Sequence, residues 1–289
     1  MINVSAYKFV RLQEDYLAVL KVELLTKAKQ LGLKGTILLS VEGINLFISA
    51  MPEIIEEYKQ FLASYDEFAD LPFKDSPSKD QPFTRMLVRI KKEIISMGVD
   101  EVVPHEHTAP YISAEDLKSA YDADEDIVIL DTRNDYEIAL GKFHDAIELD
   151  IKSFREFPDA ISKLPENIKH KKIVTYCTGG IRCEKAAEYM QQQGFTDVCQ
   201  LDGGILKYFE ECGGNYYDGE CFVFDKRVAV NSKLDETNTK QCFACRMPLT
   251  DKDQADYPTC PHCGGNAAMG KRERDRLAAG ESMLGCSTT

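Results

Sequence analysis

The sequence predicts an α/β protein built from three parts, and three observations lead to that fold class. Residues 1–95 follow the order β-α-β-β-α-β, which is typical of a ferredoxin-like (acylphosphatase-like) α+β domain. Residues 113–225 repeat strand–helix units, which favour a parallel sheet covered by helices. Residues 226–289 contain two Cys-x2-Cys pairs, the pattern of a small cysteine-rich module. Residues 96–112, broken by Pro104 and Pro110, are predicted to be a linker.

In the first part, apolar residues alternate along some segments and recur with helical spacing along others. Strands are predicted at 7–10, 35–40, 43–49 and 83–95, and helices at 15–31 and 53–68. The polar stretch 75–81 carries Pro77 between two serines and is predicted to be a loop.

The net charge of −13 is concentrated in the middle of the chain. Residues 96–225 contain 27 acidic and 12 basic residues, whereas the parts on either side are close to neutral. A polyanionic partner would be repelled by most of this segment and would need basic surface from the two ends.

A basic cluster lies on the last strand predicted in the first part. Its members are Arg85, Arg89, Lys91 and Lys92. Such a cluster fits a solvated strand face, and it also fits contacts with the phosphate backbone of a nucleic acid. Four charges supplement nucleic-acid binding without guaranteeing it.

In the second part, strands are predicted at 127–130, 146–149, 173–176 and 198–201. Helical segments are predicted from Ser113, at 135–140, at 152–163 and at 182–193. Active sites in parallel sheets lie at the carboxyl ends of the strands. Asp131 and Cys177 both fall at such ends, so we expect the site there.

The stretch after strand 173–176 predicts a reactive thiol at Cys177. The loop consists of Thr178, Gly179, Gly180, Ile181 and Arg182. Two glycines let successive backbone N–H groups turn toward the sulfur, and the following helix begins with its positive dipole end there. The loop amides and the arginine favour a thiolate. The alternative is that Cys177 is a small buried hydrophobic residue.

Several strings of residues resemble known proteins. Four segments are similar to the motifs of rhodanese domains, in the same order: Leu-Asp-Thr-Arg-Asn-Asp-Tyr-Glu at 130–137, Gly-Lys-Phe-His-Asp-Ala at 141–146, Tyr-Cys-Thr-Gly-Gly-Ile-Arg at 176–182 and Leu-Asp-Gly-Gly-Ile at 201–205. Longer strings resemble one rhodanese subfamily, the tRNA uridine hydroxylases: Glu42-Gly-Ile-Asn45, Val88-Arg-Ile-Lys-Lys-Glu-Ile94, 177–185 and 219–230. The resemblance spans nearly the whole chain. One departure is Leu46-Phe47, where the subfamily is expected to have Gly-Thr.

The resemblance implies a rhodanese-like fold for the second part and an oxygen-dependent conversion of the wobble uridine of tRNA to 5-hydroxyuridine. Carried over by motif, Cys177 is the catalytic thiol and Arg182 holds the charge of the loop. Asp131 and Arg133 are expected to form a buried structural pair rather than catalytic groups. Cys183 either resolves an oxidised Cys177 as a disulfide or packs within its helix.

The tail predicts a structural zinc site, against the alternatives of reduced or disulfide-linked cysteines. Fourteen residues separate the two pairs, whose members are Cys242, Cys245, Cys260 and Cys263. His262 could substitute as a ligand. His105 and His107 in the linker have no third ligand nearby and are predicted to be plain loop residues. Residues 271–276 are predicted to be a solvated helix face that could contact RNA, and 278–289 to be disordered. No motif for a nucleotide cofactor is present.

Composition bears on location. No run of about 18 apolar residues occurs, so no transmembrane helix is predicted. The N-terminus lacks the basic and apolar regions of a signal peptide. Ten cysteines without such a segment favour a reducing cytoplasm, where thiols serve catalysis or metal binding. The oligomeric state is not predicted.

Three function classes follow. The first is the tRNA-modifying oxygenase. The second is a sulfurtransferase that moves sulfane sulfur through a Cys177 persulfide. The third is a non-catalytic module that recruits RNA or protein. Extra parts at both ends of the chain disfavour the second class, and the intact Cys177 loop disfavours the third.

Overall fold

The protein is described by a computed structural model covering residues 1–269. The predictions for 271–276 and 278–289 lie outside the described residues. Strands of the N-terminal domain are β1 (Ile2–Phe9), β2 (Lys34–Ser40), β3 (Gly43–Ala50), β4 (Phe73–Pro77) and β5 (Met86–Ile90). Its helices are α1 (Leu17–Gln30) and α2 (Pro52–Ala63), followed by a 3-10 turn at Asp66–Phe68.

The N-terminal strands form one sheet in the order β4-β1-β3-β2-β5. All neighbours are antiparallel except β5, which runs parallel to β2. Helix α1 buries a stripe of apolar residues with helical spacing: Leu17, Leu20, Leu24 and Ala28. Helix α2 begins at Pro52, whose fixed φ suits the first turn, and buries Ile55, Tyr58 and Leu62. The predicted ferredoxin-like α+β arrangement is confirmed.

Two details of this domain differ from the predictions. The stretch 75–81 was predicted to be a loop, but its first residues belong to β4, which pairs with β1 at the sheet edge. The predicted strand 83–95 is the shorter β5, an additional strand at the opposite edge. Edge strands need little apolar alternation, so β4 lacked the periodic signal that reveals buried strands.

The central domain contains strands β6 (Tyr111–Ile112), β7 (Ile127–Asp131), β8 (Gly141–Phe143), β9 (Lys172–Tyr176) and β10 (Asp197–Leu201). Its helices are α3 (Ala114–Asp122), α4 (Asp135–Ile138), α5 (Phe157–Ile161), α6 (Ile181–Gln192) and α7 (Gly204–Cys212). Short 3-10 turns lie at Phe154–Glu156 and Glu166–Ile168.

The main sheet of this domain is parallel, as predicted, and its strand order is β6-β10-β9-β7. Strand β9 lies between two others and is buried from Ile173 to Tyr176, which explains its continuous apolar run. Because Asp131 pairs in register with Tyr176, the ends of β7 and β9 lie side by side. The Cys177 loop therefore starts beside Asp131.

Three local predictions for this region were wrong. Residues 146–149 do not form a strand; Ile147 makes a single parallel β-bridge with Leu130. The helix predicted at 152–163 is reduced to a 3-10 turn and α5, in which Pro158 occupies the first turn. The predicted linker ends in β6, because Tyr111 and Ile112 pair with β10 at the sheet edge.

The remaining strands are β11 (Tyr217–Gly219), β12 (Cys221–Phe222), β13 (Ala229–Val230), β14 (Lys240–Gln241) and β15 (Pro248–Leu249). Strand β11 pairs with β8, and β12–β13 and β14–β15 form two small hairpins. The last hairpin packs on a small core of Cys242, Leu249, Cys260 and Ala267. Across residues 1–269, helices are either too short or too polar to cross a bilayer.

Candidate active site

The loop between β9 and α6 surrounds the sulfur of Cys177. The backbone N–H of Gly180 donates to Sγ over 3.1 Å. Gly180 has φ of 101°, a left-handed conformation that favours glycine, and a Cβ there would lie 2.7 Å from the hydroxyl of Tyr7. The glycine predicted from sequence thus serves both the turn and a close approach of the N-terminal domain.

The environment of Cys177 favours the thiolate. Burial alone would raise the pKa of this thiol, but a hydrogen bond from Cys183, the charge of Arg182 and backbone N–H groups of the loop lower it to about 5. At neutral pH the sulfur is therefore ionised. The side chain is 1% exposed, and it borders a cavity described below.

Arg182 is held by a carboxylate that the sequence analysis did not single out. Its two terminal nitrogens donate to the two carboxylate oxygens of Glu137 over 2.6 and 2.7 Å. Both side chains are buried. Burial lowers the pKa of Arg182, but Glu137 outweighs it and raises that pKa overall. The guanidinium is thus a fixed charge beside the thiolate.

Asp131 and Arg133 form a fully buried ion pair next to the loop. Arg133 also donates to the carbonyl of Gly141 over 2.7 Å, and the hydroxyl of Tyr176 donates to Asp131. Burial lowers the pKa of Arg133, but the charge of Asp131 outweighs it and holds that pKa well above its usual range. Their contacts tie β7, β8 and β9 together, the placement expected of a structural pair.

Cys183 lies in the first turn of α6, behind Cys177. Its thiol is buried and lies 3.7 Å from the hydroxyl of Thr132. Burial and the hydrogen bond to Cys177 raise its pKa well above the ordinary value. The structure therefore places the thiol of Cys183 in hydrogen-bond contact with the sulfur of Cys177, without a disulfide between them.

A cavity of about 1080 Å³ separates the N-terminal sheet from the central domain, and Cys177 lies on its wall. Phe47 of β3 and Phe224 both line this cavity and lie next to each other, with ring centroids 6.3 Å apart and ring planes tilted by 50°. Phe224 is 45% exposed, and the guanidinium carbon of Arg182 lies 5.8 Å from the centre of its ring. An aromatic face therefore stands beside the thiolate. Phe47 is one of the two residues that depart from the expected subfamily sequence.

A buried triad of charges joins the two domains below the loop. Lys185 of α6 contacts the carboxylates of Glu42 over 2.8 Å and Glu93 over 2.9 Å. Glu42 also accepts from the backbone N–H of Ile94, and Glu93 accepts from that of Met97. The N-terminal domain is thereby anchored to α6, the helix that follows the Cys177 loop.

The predicted basic cluster is exposed, as a row along and beyond β5. Lys91 and Lys92 border the cavity, whereas Arg85 and Arg89 are not among its lining residues. Lys92 also pairs with Asp100, an exposed contact of 2.8 Å that contributes little. In the linker, His107 lies 2.9 Å from Glu188, and neither it nor His105 belongs to a metal-type cluster within residues 1–269.

The four tail cysteines come together. Their sulfurs all lie within 4.8 Å of one another, with 3.9 Å between Cys242 and Cys263 and 3.7 Å between Cys245 and Cys260. Sulfurs bound tetrahedrally to zinc at about 2.3 Å stand about 3.8 Å apart. The donor set and its spacing therefore fit zinc, which these four thiolates would hold while stabilising the small module. His262 is not part of the group.

Several relatives that match more than nine-tenths of this chain share the same name. A tRNA uridine(34) hydroxylase of Cupriavidus taiwanensis is 47% identical over 96% of this chain and 99% of that protein. Proteins of the same name from Cupriavidus necator and Ralstonia nicotianae are each 47% identical, over 92% and 93% of this chain and 97% and 98% of their own lengths. This chain belongs to the tRNA uridine(34) hydroxylase family.

Domain profiles agree with this family assignment. One described as "UPF0176 acylphosphatase like domain" matches residues 1–94, and one described as "Rhodanese-like domain" matches residues 113–211. A solved rhodanese-like domain from Anabaena sp. is 26% identical, with a TM-score of 0.32 over 38% of this chain and 79% of that chain. The resemblance predicted from the motifs is confirmed.

In this member of the family, four residues at the site were missed by sequence reasoning. Glu137 and Phe224 lie inside the matching strings, so the signal was present but gave them no role. Tyr7 and Lys74 approach the loop from the N-terminal domain. No pattern within the loop could reveal them, because they belong to strands distant in the sequence.

Proposed function

We propose that this protein hydroxylates C5 of the wobble uridine of tRNA, with molecular oxygen as co-substrate and Cys177 as the catalytic thiol. The observation that supports this most is an ionised sulfur on the wall of a cavity large enough for a nucleobase, beside an aromatic face. The names of the relatives support the same reaction.

The thiolate suits a pyrimidine because C6 of uracil is electrophilic. Addition of Sγ to C6 places an electron pair on C5 and O4, and C5 then accepts an oxygen atom. Loss of the C5 proton and cleavage of the S–C6 bond return the thiolate. The net reaction consumes O2 with two electrons and two protons from a thiol reductant, and it releases water. Arg182 stabilises the Cys177 thiolate, which is present before the addition and again after the S–C6 bond is cleaved.

Binding of the base is assigned to the aromatic face. Single-stranded bases are recognised by stacking on aromatic rings and by cationic side chains. Phe224 and Phe47 supply the rings, and Lys91 and Lys92 at the cavity edge supply charge for the phosphate backbone, with Arg85 and Arg89 further along. The strongly acidic central segment would repel tRNA elsewhere, which orients the RNA toward the N-terminal domain.

Other parts take supporting roles in this proposal. Cys183 resolves an oxidised Cys177 as a disulfide, which the contact of the two side chains favours. The four tail cysteines hold a structural zinc ion. Residues 1–95, 113–225 and 226–289 act as three domains, with 96–112 as the connection. We place this activity in the cytoplasm, whose reducing conditions keep cysteine thiols free.

The test compares Cys177→Ser with the unmodified protein in a strain from which the gene and any parallel pathway have been deleted. Mass spectrometry of tRNA nucleosides should detect 5-hydroxyuridine derivatives with the unmodified protein and none with the variant. Persistence of the nucleoside with Cys177→Ser would overturn the proposal. If instead the protein transfers sulfur, purified protein would form a persulfide on Cys177 from thiosulfate while tRNA hydroxylation stays absent.

A second measurement addresses the chemical step. A tRNA carrying 5-fluorouracil at the wobble position should form a covalent adduct with the unmodified protein. Fluorine replaces the C5 proton, whose loss accompanies cleavage of the S–C6 bond, so the sulfur stays attached. No adduct is expected with Cys177→Ser. Hydroxylation of ordinary tRNA without any such adduct would contradict addition at C6.

A further inference from the structure

A lysine of the N-terminal domain contacts the catalytic loop from behind. Lys74 lies on β4, and its ammonium donates to the carbonyl oxygens of Gly179 over 2.7 Å and Gly203 over 2.8 Å. These carbonyls belong to the two turns that start α6 and α7. One charged group from another domain therefore joins both turns around the site.

The contact at Gly179 has an electrostatic consequence for the sulfur. The carbonyl of Gly179 and the N–H of Gly180 belong to the same planar peptide unit, in which they point in opposite directions. That N–H donates to the Sγ of Cys177. The ammonium thus binds the oxygen end of a peptide dipole whose N–H end binds the sulfur. Hydrogen bonds in such a chain polarise one another, so the positive charge strengthens the bond to a thiolate.

The second contact acts on the same region. The turn at Gly203 precedes Gly204, and the N–H of Ile205 donates to the carbonyl of Cys177 over 3.0 Å. A Cβ on Gly204 would lie 2.4 Å from that carbonyl oxygen, so the two turns are closely packed. By binding the Gly203 carbonyl, Lys74 holds the turn at 203–205 in place, and this turn packs against the backbone of Cys177.

We propose that Lys74 is a positioning residue for the catalytic thiol: through the Gly179–Gly180 peptide it orients and polarises the N–H that holds Cys177 as a thiolate. Reactivity of the thiol in the central domain then depends on docking of the N-terminal domain. The proposal rests on the proposed function only in taking Cys177 as the reactive group. In this proposal the N-terminal domain, which carries Lys74, contributes to the reactivity of the thiol. A rhodanese-type loop alone does not need such a domain.

Other charged groups also act on Lys74 and on Cys177. Burial lowers the pKa of Lys74 below its usual value. The charges of Cys177, Asp202 and Glu210 favour the ammonium form, and Lys207 opposes it.

Around the sulfur, Arg182 and Cys183 face Cys177 from α6, and Tyr7 faces it from β1. None of these groups changes in a Lys74 variant. A shift of the Cys177 titration would therefore report the loss of the lysine.

The experiment measures the rate of iodoacetamide alkylation of Cys177 in the full chain between pH 4 and 9. After trypsin digestion, residues 173–182 form a peptide in which Cys177 is the single cysteine, so mass spectrometry reads this site alone. Lys74→Met removes the charge, and Lys74→Gln keeps an N–H donor without the charge. Lys74→Arg keeps both. The matched control is Lys59→Met, which removes an ammonium that contacts Asp75 on the same strand over 2.6 Å without reaching the loop.

In the unmodified protein the rate should be half-maximal near pH 5, the pKa of the thiol. Lys74→Met and Lys74→Gln should raise this midpoint by about one pH unit, because removing a nearby positive charge raises the pKa of a thiol by about that much. Lys74→Arg and Lys59→Met should leave it unchanged. If the folded Lys74→Gln variant titrates like the unmodified protein, the proposal is overturned, whatever happens to its stability. Because alkylation needs no tRNA, this result is independent of whether the protein hydroxylates uridine.

Discussion

Glu137 and Arg182 form a buried, two-point ion pair beside the Cys177 loop, with nitrogen–oxygen distances of 2.6 and 2.7 Å. The carboxylate comes from the short helix α4 after β7, and the guanidinium from the first turn of α6. The arginine predicted to hold the charge of the loop therefore has its own partner. Its position depends on a residue 45 places earlier in the chain.

Glu137→Ala should destabilise the protein strongly. The change leaves the guanidinium of Arg182 buried without a counter-charge, which costs about 3–5 kcal/mol of unfolding free energy. Urea denaturation at pH 7 measures the loss. Glu166→Ala is the control, since Glu166 pairs with Lys169 while 81% exposed and should change stability by at most about 0.5 kcal/mol. Equal losses in the two variants would contradict a structural role for the buried pair.

Glu93→Gln should reduce the acid sensitivity of the fold. Burial alone would raise the pKa of Glu93, but hydrogen bonds from Lys185 and from backbone N–H groups lower it below its ordinary value of 4.5. Its carboxylate therefore adds stability that is complete above pH 4.5 and is lost as the pH falls through the lowered pKa.

Urea midpoints measured from pH 7 down to pH 3 should fall more steeply for the unmodified protein than for Glu93→Gln. At pH 7 the variant should be less stable by about 1–3 kcal/mol, because Lys185 loses one charged partner. Glu53→Gln, which changes an exposed carboxylate, should follow the unmodified curve. A Glu93→Gln curve parallel to the unmodified one would contradict the assignment.

Phe224→Ala should weaken the use of tRNA without affecting the thiol. Stacking of a base on an aromatic ring contributes about 1–3 kcal/mol, so kcat/KM for hydroxylation should fall by roughly 5- to 150-fold. Phe224→Tyr should retain most activity. Phe243→Ala is the matched control, because this ring is 60% exposed but lies in the cysteine-rich module, outside the cavity. A Phe224→Ala enzyme with unchanged kcat/KM would remove this ring from the binding site.

Cys260→Ala should abolish zinc binding. The unmodified protein should release one zinc ion per chain to a colorimetric indicator when its thiols are modified, because four cysteine sulfurs form the site. Cys212→Ala, which removes a half-buried cysteine outside the cluster, should retain the metal. Removing zinc with a chelator should make the region after residue 226 sensitive to protease while the central domain stays resistant. Zinc-free protein with unchanged resistance would contradict a structural metal.

Local pattern was sufficient for much of the architecture. The apolar run 173–176, the glycines after it and the following helix placed Cys177 at the carboxyl end of a buried strand, where the structure has it. The spacing of the tail cysteines likewise predicted their meeting. These features depend on residues close in sequence, whose geometry the backbone itself largely dictates. Predictions were wrong where the local signal was weak, as at the polar edge strand β4.

The three motif strings 42–45, 88–94 and 177–185 show the limit of that approach. Each string supplies one member of the buried triad: Glu42, Glu93 and Lys185. Sequence similarity marked the strings, but no spacing rule connects residues so far apart. Their pairing exists because the folded domains bring buried charges together, where each needs a partner.

By itself, the sequence determined the fold class, the position of Cys177 and its loop, and the cysteine quartet of the tail, since periodicity and short-range spacing encode them. Only the tertiary structure decided which groups surround the thiol. Glu137, Lys74, Tyr7 and Phe224 reach it from other elements, and Lys74 and Tyr7 from the other domain. The physical reason is that hydrogen bonds and charges act through a few ångströms of space, regardless of separation along the chain.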